Sequence, residues 1–288
     1  MSPPDNDGAP ARATCRRAGR RASGPRAGCS AHYIDVVMFD VAADAYGRFM
    51  GRFSELLAPE FAEFAGWPAA KRALDVGSGP GALTGCLVEW LGAGAVAAID
   101  PSDSFVAALR TRFPGIDVRC GVAENLPFKE GAFDVTLAQL AVHFMTDPVA
   151  GLAEMARVTR AGGVVAACVW DHAGGTGPLA TFWRAVHDLD PAARDEADLA
   201  GAKEGHLAQL CAAAGLRRIE SSSLTVSVRF ETFADWWEPF VLGIGPAGVY
   251  VSQLDDDRRE LLRSRCEELF PPAPFAVEGR AWCVRAHP

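Results

Sequence analysis

Residues 73–81 read ALDVGSGPG, and the fold can be inferred outward from this stretch. Its first four residues are typical of the end of a short buried strand, and the glycines at 77, 79 and 81 predict a tight turn after it. The apolar pattern that starts at Ala82 predicts a helix to about Trp90. A strand, a glycine turn and a helix start are typical of a nucleoside-cofactor site, because glycine lets a ligand approach the main chain closely.

Strand-like and helix-like segments alternate from residue 72 to residue 170, which predicts a doubly wound α/β fold with helices on both faces of a mostly parallel sheet. The strands are predicted at about 72–76, 96–99, 117–120, 133–137 and 164–170, with two more at 223–230 and 281–285. The helices that follow the first strand are predicted at about 82–90, 102–112, 148–159, 178–189, 203–214, 233–242 and 255–270.

The domain organisation follows from composition and pattern. Residues 1–30 carry six arginines and two aspartates, a balance of +4, and are predicted to be a disordered basic tail. Aromatic residues at helical spacing then predict a pair of lid helices within 31–71, broken at Pro59. The predicted remainder is a cofactor-binding core at 72–230, a helical cap inserted at 231–275, and the final core strand at 276–288.

Charge and composition limit the classes of molecule that the protein is expected to bind. The net charge is −8, so the chain beyond the basic tail carries −12, which makes nucleic acid an unfavourable partner and a small molecule the expected one. No apolar run is long enough to span a membrane. The eight cysteines are scattered without a CxxC pair, which favours a cytoplasmic protein without a zinc site. The sequence leaves the oligomeric state open.

Asp100 is the second landmark, because it ends the predicted second strand 19 residues after Gly81. An acid at this place can accept hydrogen bonds from both hydroxyls of a ribose, although it could also cap the helix that follows. The pattern Gly77-x-Gly79-x-x-Ala82 is compatible with a dinucleotide as well. Asp75 argues against that alternative, because a pyrophosphate is unfavourable beside a carboxylate, whereas a cofactor with an ammonium and a sulfonium is not.

Four blocks of the sequence carry a family resemblance. They are LDVGSGPG at 74–81, AAIDPSDSFV at 97–106, GVAENLPFKEGAFDVTLAQLAVHFMTDP at 121–148, and RVTRAGGVVAACVW at 157–170. In this order and spacing they resemble the class I S-adenosylmethionine-dependent methyltransferases. The similarity is greatest to the small-molecule branch, which includes the methyltransferase type 11 and quinone C-methyltransferase groups. This resemblance implies a seven-stranded sheet that ends in a reversed hairpin, with S-adenosylmethionine as cofactor.

The resemblance also implies roles for individual residues. Gly77, Gly79 and Gly81 would line the methionine part of the cofactor, Asp100 would hold the ribose, and Gln139 would lie near the sulfonium. Ala123 and Glu124 would flank the adenine. The predicted cofactor-binding set also includes Tyr46, Asp75, Ser78 and Pro101.

The expected reaction is methyl transfer to a carbon, oxygen or nitrogen atom of a small molecule, for which alignment matters most and a base is needed only by weak nucleophiles. His143 and His172 are the candidate bases, because each follows a core strand at the edge where ligands bind in open α/β sheets. No cluster of His, Asp or Glu predicts a metal. Two alternatives stay open, namely cofactor binding without methyl transfer, as in a cyclase, and an NAD(P)-dependent reductase.

The substrate pocket is expected to form from the least regular segments, 174–202 and 231–275, together with the lid helices. Trp236, Trp237 and Phe240, with Tyr250 on the following loop, would form an aromatic wall over a flat or apolar substrate. Packing between the cap helices is the competing explanation for each of these rings.

Overall fold

A computed structural model describes Met1, residues 46–66 and residues 70–288 of the chain. The predicted tail beyond Met1, and the part of the predicted lid that precedes Tyr46, lie outside the described residues. Seven strands form one sheet in the order β3-β2-β1-β4-β5-β7-β6. They are β1 Ala73–Val76, β2 Val96–Asp100, β3 Asp117–Cys120, β4 Phe133–Gln139, β5 Thr159–Trp170, β6 Arg217–Phe230 and β7 Phe275–His287.

The first five strands are parallel, and β7 runs antiparallel between β5 and β6. The predicted doubly wound fold with a mostly parallel sheet and a reversed hairpin is therefore confirmed. Strand β1 pairs with β2 on one side and with β4 on the other, so the strand order reverses beside β1. In open α/β sheets, ligands bind in the crevice that such a reversal leaves at the carboxyl ends of the strands.

Helices cover both faces of this sheet. They are α1 Arg52–Phe64, α2 Ala82–Leu91, α3 Asp103–Arg112, α4 Pro148–Val158, α5 Ala180–Leu189, α6 His206–Ala213, α7 Phe233–Trp237, α8 Gly245–Ser252 and α9 Asp256–Leu269. A hydrophobic cluster on one face joins α1, α2 and the cap helices to the sheet. A second cluster, which includes Leu152 and Met155 of α4, fills the other face.

Helix α1 runs through Pro59, whereas the sequence predicted a break there. A proline inside a helix removes one backbone hydrogen bond and costs about 3 kcal/mol. Leu57 and Phe61, two residues before and two residues after the proline, are both at 0% exposure. Burying two such side chains contributes roughly 1.5–3 kcal/mol each, which offsets the cost of the proline.

The cap region differs from the prediction in its middle part. Helix α7 ends at Trp237 and a 3-10 turn, Glu238–Leu242, continues from it, so the predicted single helix is divided. Helix α8 occupies a stretch that the sequence predicted as a loop, because Gly243 and Gly245 suggest a turn. Both glycines do have positive φ, at 74° and 64°. Pro246 nevertheless lies in the first helical turn, where its missing N–H needs no partner.

Strands β6 and β7 are longer than predicted, since their pairing begins near Arg217 and Phe275. The added part of β6 includes the polar run of three serines at 221–223, which lacks strand character in the sequence. Pairing with β7 supplies the hydrogen bonds that extend both strands. Among the described residues, no helix combines the length and apolar character that a membrane span requires.

Candidate functional site

The glycine turn follows β1 at the reversal of strand order. Gly77, Gly79 and Gly81 all have positive φ, at 69°, 53° and 97°. A Cβ on Gly77 would lie 2.4 Å from the Cβ of Ala141, and one on Gly81 would lie 2.5 Å from Cδ2 of Leu109. Gly79 has no atom within 4 Å of its missing Cβ. Protein packing therefore requires two of these glycines, and only Gly79 leaves open space for a ligand.

Asp100 ends β2 and links the two landmarks of the sequence. Its Oδ2 accepts a hydrogen bond from the Gly79 N–H at 2.8 Å, and its Oδ1 accepts one from the Ser102 N–H at 2.9 Å. The N-cap of α3 is Ser102, whose hydroxyl accepts from the Phe105 N–H. Asp100 is therefore not the helix cap, and its remaining lone pairs can accept ribose hydroxyls. Burial raises the pKa of Asp100 to about 6.

Asp75 lies inside β1, just before the turn, and is 1% exposed. Its Oδ2 accepts a hydrogen bond from the Thr84 hydroxyl at 2.6 Å, while its Oδ1 has no partner among the described residues. Burial raises the pKa of this carboxyl to about 7. An unpaired buried carboxylate oxygen fits a cofactor that carries a cationic ammonium, and it repels a pyrophosphate.

Two further predicted residues lie beside Asp100. The ring of Tyr46 stands edge-on to that of Phe105, with their centroids 5.7 Å apart. Burial raises the pKa of the Tyr46 phenol, and the charge of Asp100 adds to this shift. Pro101 follows Asp100 directly and is partly buried. The structure thus brings Tyr46 to the cofactor side of the sheet from the start of the described lid region.

The predicted adenine-flanking residues lie in the 3-10 turn Ala123–Asn125, which follows β3. Ala123 is buried, and its Cβ would be 3.3 Å from a Cβ on Gly151 of α4. The Glu124 carboxylate accepts a hydrogen bond from the Asp147 N–H at 3.1 Å. This turn is therefore held against the start of α4, and one Glu124 oxygen is used for that purpose.

Gln139 ends β4 on the α1 side of the sheet. Its amide donates a hydrogen bond to the Ser54 carbonyl at 2.9 Å, and its Oε1 is buried without a partner. The next residue, Leu140, has φ of 58°, a strained value for a residue with a side chain. This turn directs the chain so that Ala141 packs over Gly77. Ser78 is also buried, and its hydroxyl donates to the Ile99 carbonyl at 3.4 Å.

The two candidate bases come together across the ends of β4 and β5. Their imidazole ring centroids are 6.0 Å apart, and both His143 Nδ1 and His172 Nε2 are buried without a hydrogen-bond partner in the part of the chain that the structure describes. Burial lowers the pKa of His143 well below its ordinary range and that of His172 to about 4. Both rings are therefore uncharged at neutral pH.

The predicted aromatic wall lies in the interior of the cap. Trp236, Trp237 and Phe240 are 4%, 5% and 1% exposed. Phe240 stacks on Phe182 of α5 with their centroids 4.5 Å apart, and Trp236 packs against Phe270. These contacts are side-chain packing, which was the competing explanation for these rings in the sequence analysis. Tyr250 is partly exposed and packs against Phe182 and Trp183.

Sequence reasoning missed three residues of this region. Thr84 is the partner of Asp75, and its position in the first turn of α2 was the only available signal. Ser54 accepts the Gln139 amide through its main chain, which leaves no trace in the sequence. Trp170 ends β5 with a buried, unpaired indole N–H, and its place at a strand end could have drawn attention to it.

Comparison with known proteins agrees with this geometry. Residues 74–167 match the family described as methyltransferase domain. An uncharacterised methyltransferase of Mycobacterium tuberculosis is 38% identical over 125 residues, which are 43% of this chain and 49% of that protein. A demethylmenaquinone methyltransferase of Beutenbergia cavernae is 36% identical over 93 residues, which are 32% of this chain and 38% of the relative. The chain thus spans about half or less of these curated relatives.

Among solved structures, an S-adenosylmethionine-dependent methyltransferase of Thermotoga maritima aligns with a TM-score of 0.52 and 18% identity. The alignment covers 88% of this chain and 99% of that one. Residues 74–167 are thus similar to a methyltransferase domain, and the sheet that contains them has the fold of the S-adenosylmethionine-dependent methyltransferases. S-adenosylmethionine is the cofactor of this class, and the unpaired Asp75 oxygen, the open space at Gly79 and the Asp100 carboxylate fit it.

Proposed function

We propose that this protein transfers the methyl group of S-adenosylmethionine to a small-molecule acceptor. The observation that carries the proposal is the arrangement of Asp75, Gly79 and Asp100 around one turn. It combines an unpaired carboxylate oxygen, an open main-chain position and a second carboxylate within a single crevice. The acidic character of the chain beyond residue 30 further supports a small molecule over a nucleic acid.

In this proposal Asp75 and Asp100 beside the turn, and Tyr46 and Gln139 close to it, each have a defined role. Asp100 accepts the ribose hydroxyls, and Asp75 accepts the ammonium group through its unpaired oxygen. Tyr46 covers the same side and excludes water, while Gln139 orients the methionyl end with its free Oε1. The bound cofactor supplies a methyl group on a cationic sulfonium, whose displacement in line with the acceptor leaves a neutral thioether.

The acceptor is expected at the ends of β4 and β5, beside the glycine turn. Ala141 contacts the position of the missing Gly77 Cβ, so the segment that carries His143 lies directly against the turn. An uncharged His143 can accept a hydrogen bond from the acceptor at its Nδ1. Alignment and exclusion of water supply most of the remaining rate enhancement for this type of reaction.

Two measurements test the proposal. Isothermal titration with S-adenosylhomocysteine should give saturable binding, and titration with NADH should give none. NADH binding without S-adenosylhomocysteine binding would instead establish the reductase alternative. Transfer of a radiolabelled methyl group to small-molecule acceptors then separates a methyltransferase from a protein that binds the cofactor without transferring the group.

A further inference from the structure

The two edges of the sheet differ in length and in charge. One edge is β3, which has only four residues, and two of them, Asp117 and Arg119, form an ion pair. The other edge is β6, which has fourteen residues, and its segment 221–228 contains no charged residue and no proline. Proteins usually protect a long edge strand with charged residues, proline or a covering segment, because an unprotected edge pairs with other chains. The segment 221–228 lacks the first two of these protections.

The main chain of this segment has a free outer side. Strand β6 is last in the strand order, and within the described chain it pairs with β7 alone. Among the described residues, no main-chain group outside β7 hydrogen-bonds to the main chain of 221–228. A register shift between Arg217 and Glu220, where Arg218 has φ of 50°, limits the irregular part of the strand to its start. The N–H and C=O groups that point away from β7 are therefore available to a further strand.

The side chains of the segment leave room for such a strand. Five of them are small, carry a hydroxyl group and are exposed, namely Ser221, Ser222, Ser223, Thr225 and Ser227. Leu224 lies at the centre and is only partly buried against the hydrophobic cluster that includes α1. A strand placed beside β6 can cover the exposed part of Leu224 with an apolar side chain of its own.

The charges at the two ends of the segment are opposite. Arg217 and Arg218 lie at its start, and the exposed carboxylates of Glu231 and Glu278 lie at its end, with Glu278 on the neighbouring β7. Glu231 pairs with Arg229, whereas the other three have no ion-pair partner in the described part of the chain. An antiparallel pair of two copies brings the start of each β6 to the end of the other, so arginines meet carboxylates. A parallel pair would place the arginines together, so charge favours the antiparallel arrangement.

We infer that the outer edge of β6 pairs antiparallel with the same edge of a second copy of this chain, about a two-fold axis near Leu224. Residues 220–228 of the two copies then face each other and form roughly eight main-chain hydrogen bonds. This number is close to the total of about ten that a typical protein interface contains. The two seven-stranded sheets join into one continuous sheet. Strands β5 and β7 separate this edge from the crevice beside β1 and β4, so both crevices stay open.

Sedimentation velocity of the full chain measures this association. The dimer is expected at twice the chain mass of 30.6 kDa, with a monomer fraction that grows on dilution. Ser223→Lys places a charge beside the axis of the pair and should weaken the dimer at least tenfold. Ser264→Lys, at an exposed position of α9, is the matched control and should leave the dimer unchanged. A chain that stays monomeric, or a dimer that is equally stable in both variants, would overturn the inference.

A cysteine at the axis tests the position of the pairing. Opposite Cα atoms of an antiparallel pair are about 4.5–5.5 Å apart, which is within the range of a disulfide. Leu224→Cys should therefore cross-link two copies when copper phenanthroline and dissolved oxygen oxidise the two introduced thiols. Asp117→Cys on the β3 edge is the control, and the unmodified chain measures the background from the native cysteines. Equal cross-linking of the two variants, or none of Leu224→Cys, would contradict the proposed pairing.

Charge reversal tests the direction of the pairing. The double variant Arg217→Glu, Arg218→Glu should weaken the dimer at least tenfold, because carboxylates then meet at both ends. Adding Glu231→Arg to it should recover part of the lost affinity, which a purely structural effect of the first two changes would not allow. Circular dichroism verifies that each variant is folded. No recovery in the triple variant, with all variants folded, would refute the antiparallel arrangement.

Discussion

At the carboxyl ends of β1 and β2 the carboxylates of Asp100 and Asp75 each accept a hydrogen bond from the glycine turn or from α2. After the ends of β4 and β5, by contrast, one ring nitrogen of His143 and one of His172 have no hydrogen-bond partner among the described residues. Asp100 holds the Gly79 N–H and Asp75 holds the Thr84 hydroxyl on the cofactor side. On the acceptor side, His143 and His172 carry unpaired nitrogens and no charge. The proposed cofactor side thus contains two hydrogen-bonded carboxylates beside the glycine turn, and the proposed acceptor side contains two uncharged histidines.

This difference suggests a division of labour. A turn that is already hydrogen-bonded before the ligand arrives loses little conformational entropy on binding, which suits a cofactor shared by many proteins. Unpaired neutral groups instead favour ligands that can form hydrogen bonds with them. A ligand that leaves these groups unpaired binds with a less favourable free energy. Specificity for the acceptor is therefore expected to depend on the ends of β4 and β5.

The largest expected effect separates the roles of the glycines in the turn. Gly77→Ala should lower the free energy of unfolding by roughly 3–5 kcal/mol, because the new Cβ meets Ala141 and the residue is left-handed. Gly79→Ala has open space and should cost only about 1–2 kcal/mol for its conformation. It should nevertheless weaken S-adenosylhomocysteine binding at least tenfold. Urea denaturation and calorimetry measure both effects, and equal destabilisation by the two variants would contradict the packing argument.

Asp75→Asn tests the cost of a buried carboxylate on the cofactor side. Burial raises the pKa of Asp75 from about 4 to about 7, so the folded chain keeps a proton that the unfolded chain has lost. The free energy of unfolding therefore falls as the pH rises from about 4 to about 7, and it levels off above that range. Asparagine retains an acceptor for Thr84 and should stabilise the cofactor-free protein at pH 8 by on the order of 2–4 kcal/mol.

The same variant should show no gain at pH 4, where the carboxyl of Asp75 is protonated in the folded protein. The contribution of Asp100, whose pKa burial raises to about 6, has the same sign and remains in the variant. Denaturation curves at pH 4, 6 and 8 measure the difference. Asp103→Asn, on the exposed start of α3, is the control, and equal stability of Asp75→Asn and the unmodified chain at pH 8 would contradict the prediction.

Asp100→Ala should weaken S-adenosylhomocysteine binding by roughly 1.5–3 kcal/mol, through loss of hydrogen bonds to a charged group. Asp100→Asn keeps one oxygen for the Gly79 N–H and separates ribose binding from the shape of the turn. Because burial raises the pKa of Asp100 to about 6, the affinity of the unmodified protein should fall as the pH drops below that value. Calorimetry over pH 5–8 measures both, and unchanged affinity in both variants would remove Asp100 from the site.

The smallest effect is expected on the acceptor side. His143→Phe removes a buried nitrogen that has no partner, so the free energy of unfolding should change by less than about 1 kcal/mol. Thermal and urea unfolding measure this change in the cofactor-free protein. A loss of several kcal/mol would mean that His143 has a structural role similar to that of the carboxylates, and the contrast between the two sides would disappear.

The sequence predicted the strands, the glycine turn and the class of cofactor, because hydrophobic periodicity and turn residues are local signals. Asp75 and Gly79 are four residues apart on one strand and its turn, and Asp100 comes to them at the end of the next strand, which pairs with the first. The steric requirement for glycine at position 77 was not predictable, because it comes from Ala141, which lies 64 residues later in the chain. At Pro59 a local rule was wrong. It predicted a helix break, but burial of Leu57 and Phe61 stabilises a continuous helix.

The sequence by itself determined the order of strands and helices, the glycine turn and the acid at the end of β2, because hydrophobic periodicity and backbone preferences act over short distances. Only the tertiary structure decided that the rings of His143 and His172 meet, that Asp75 keeps an unpaired oxygen, and that the tryptophans of α7 face the cap interior. Those features depend on strand register and on packing between distant segments. The class of cofactor is therefore recorded in the sequence, and the character of the acceptor site emerges from the fold.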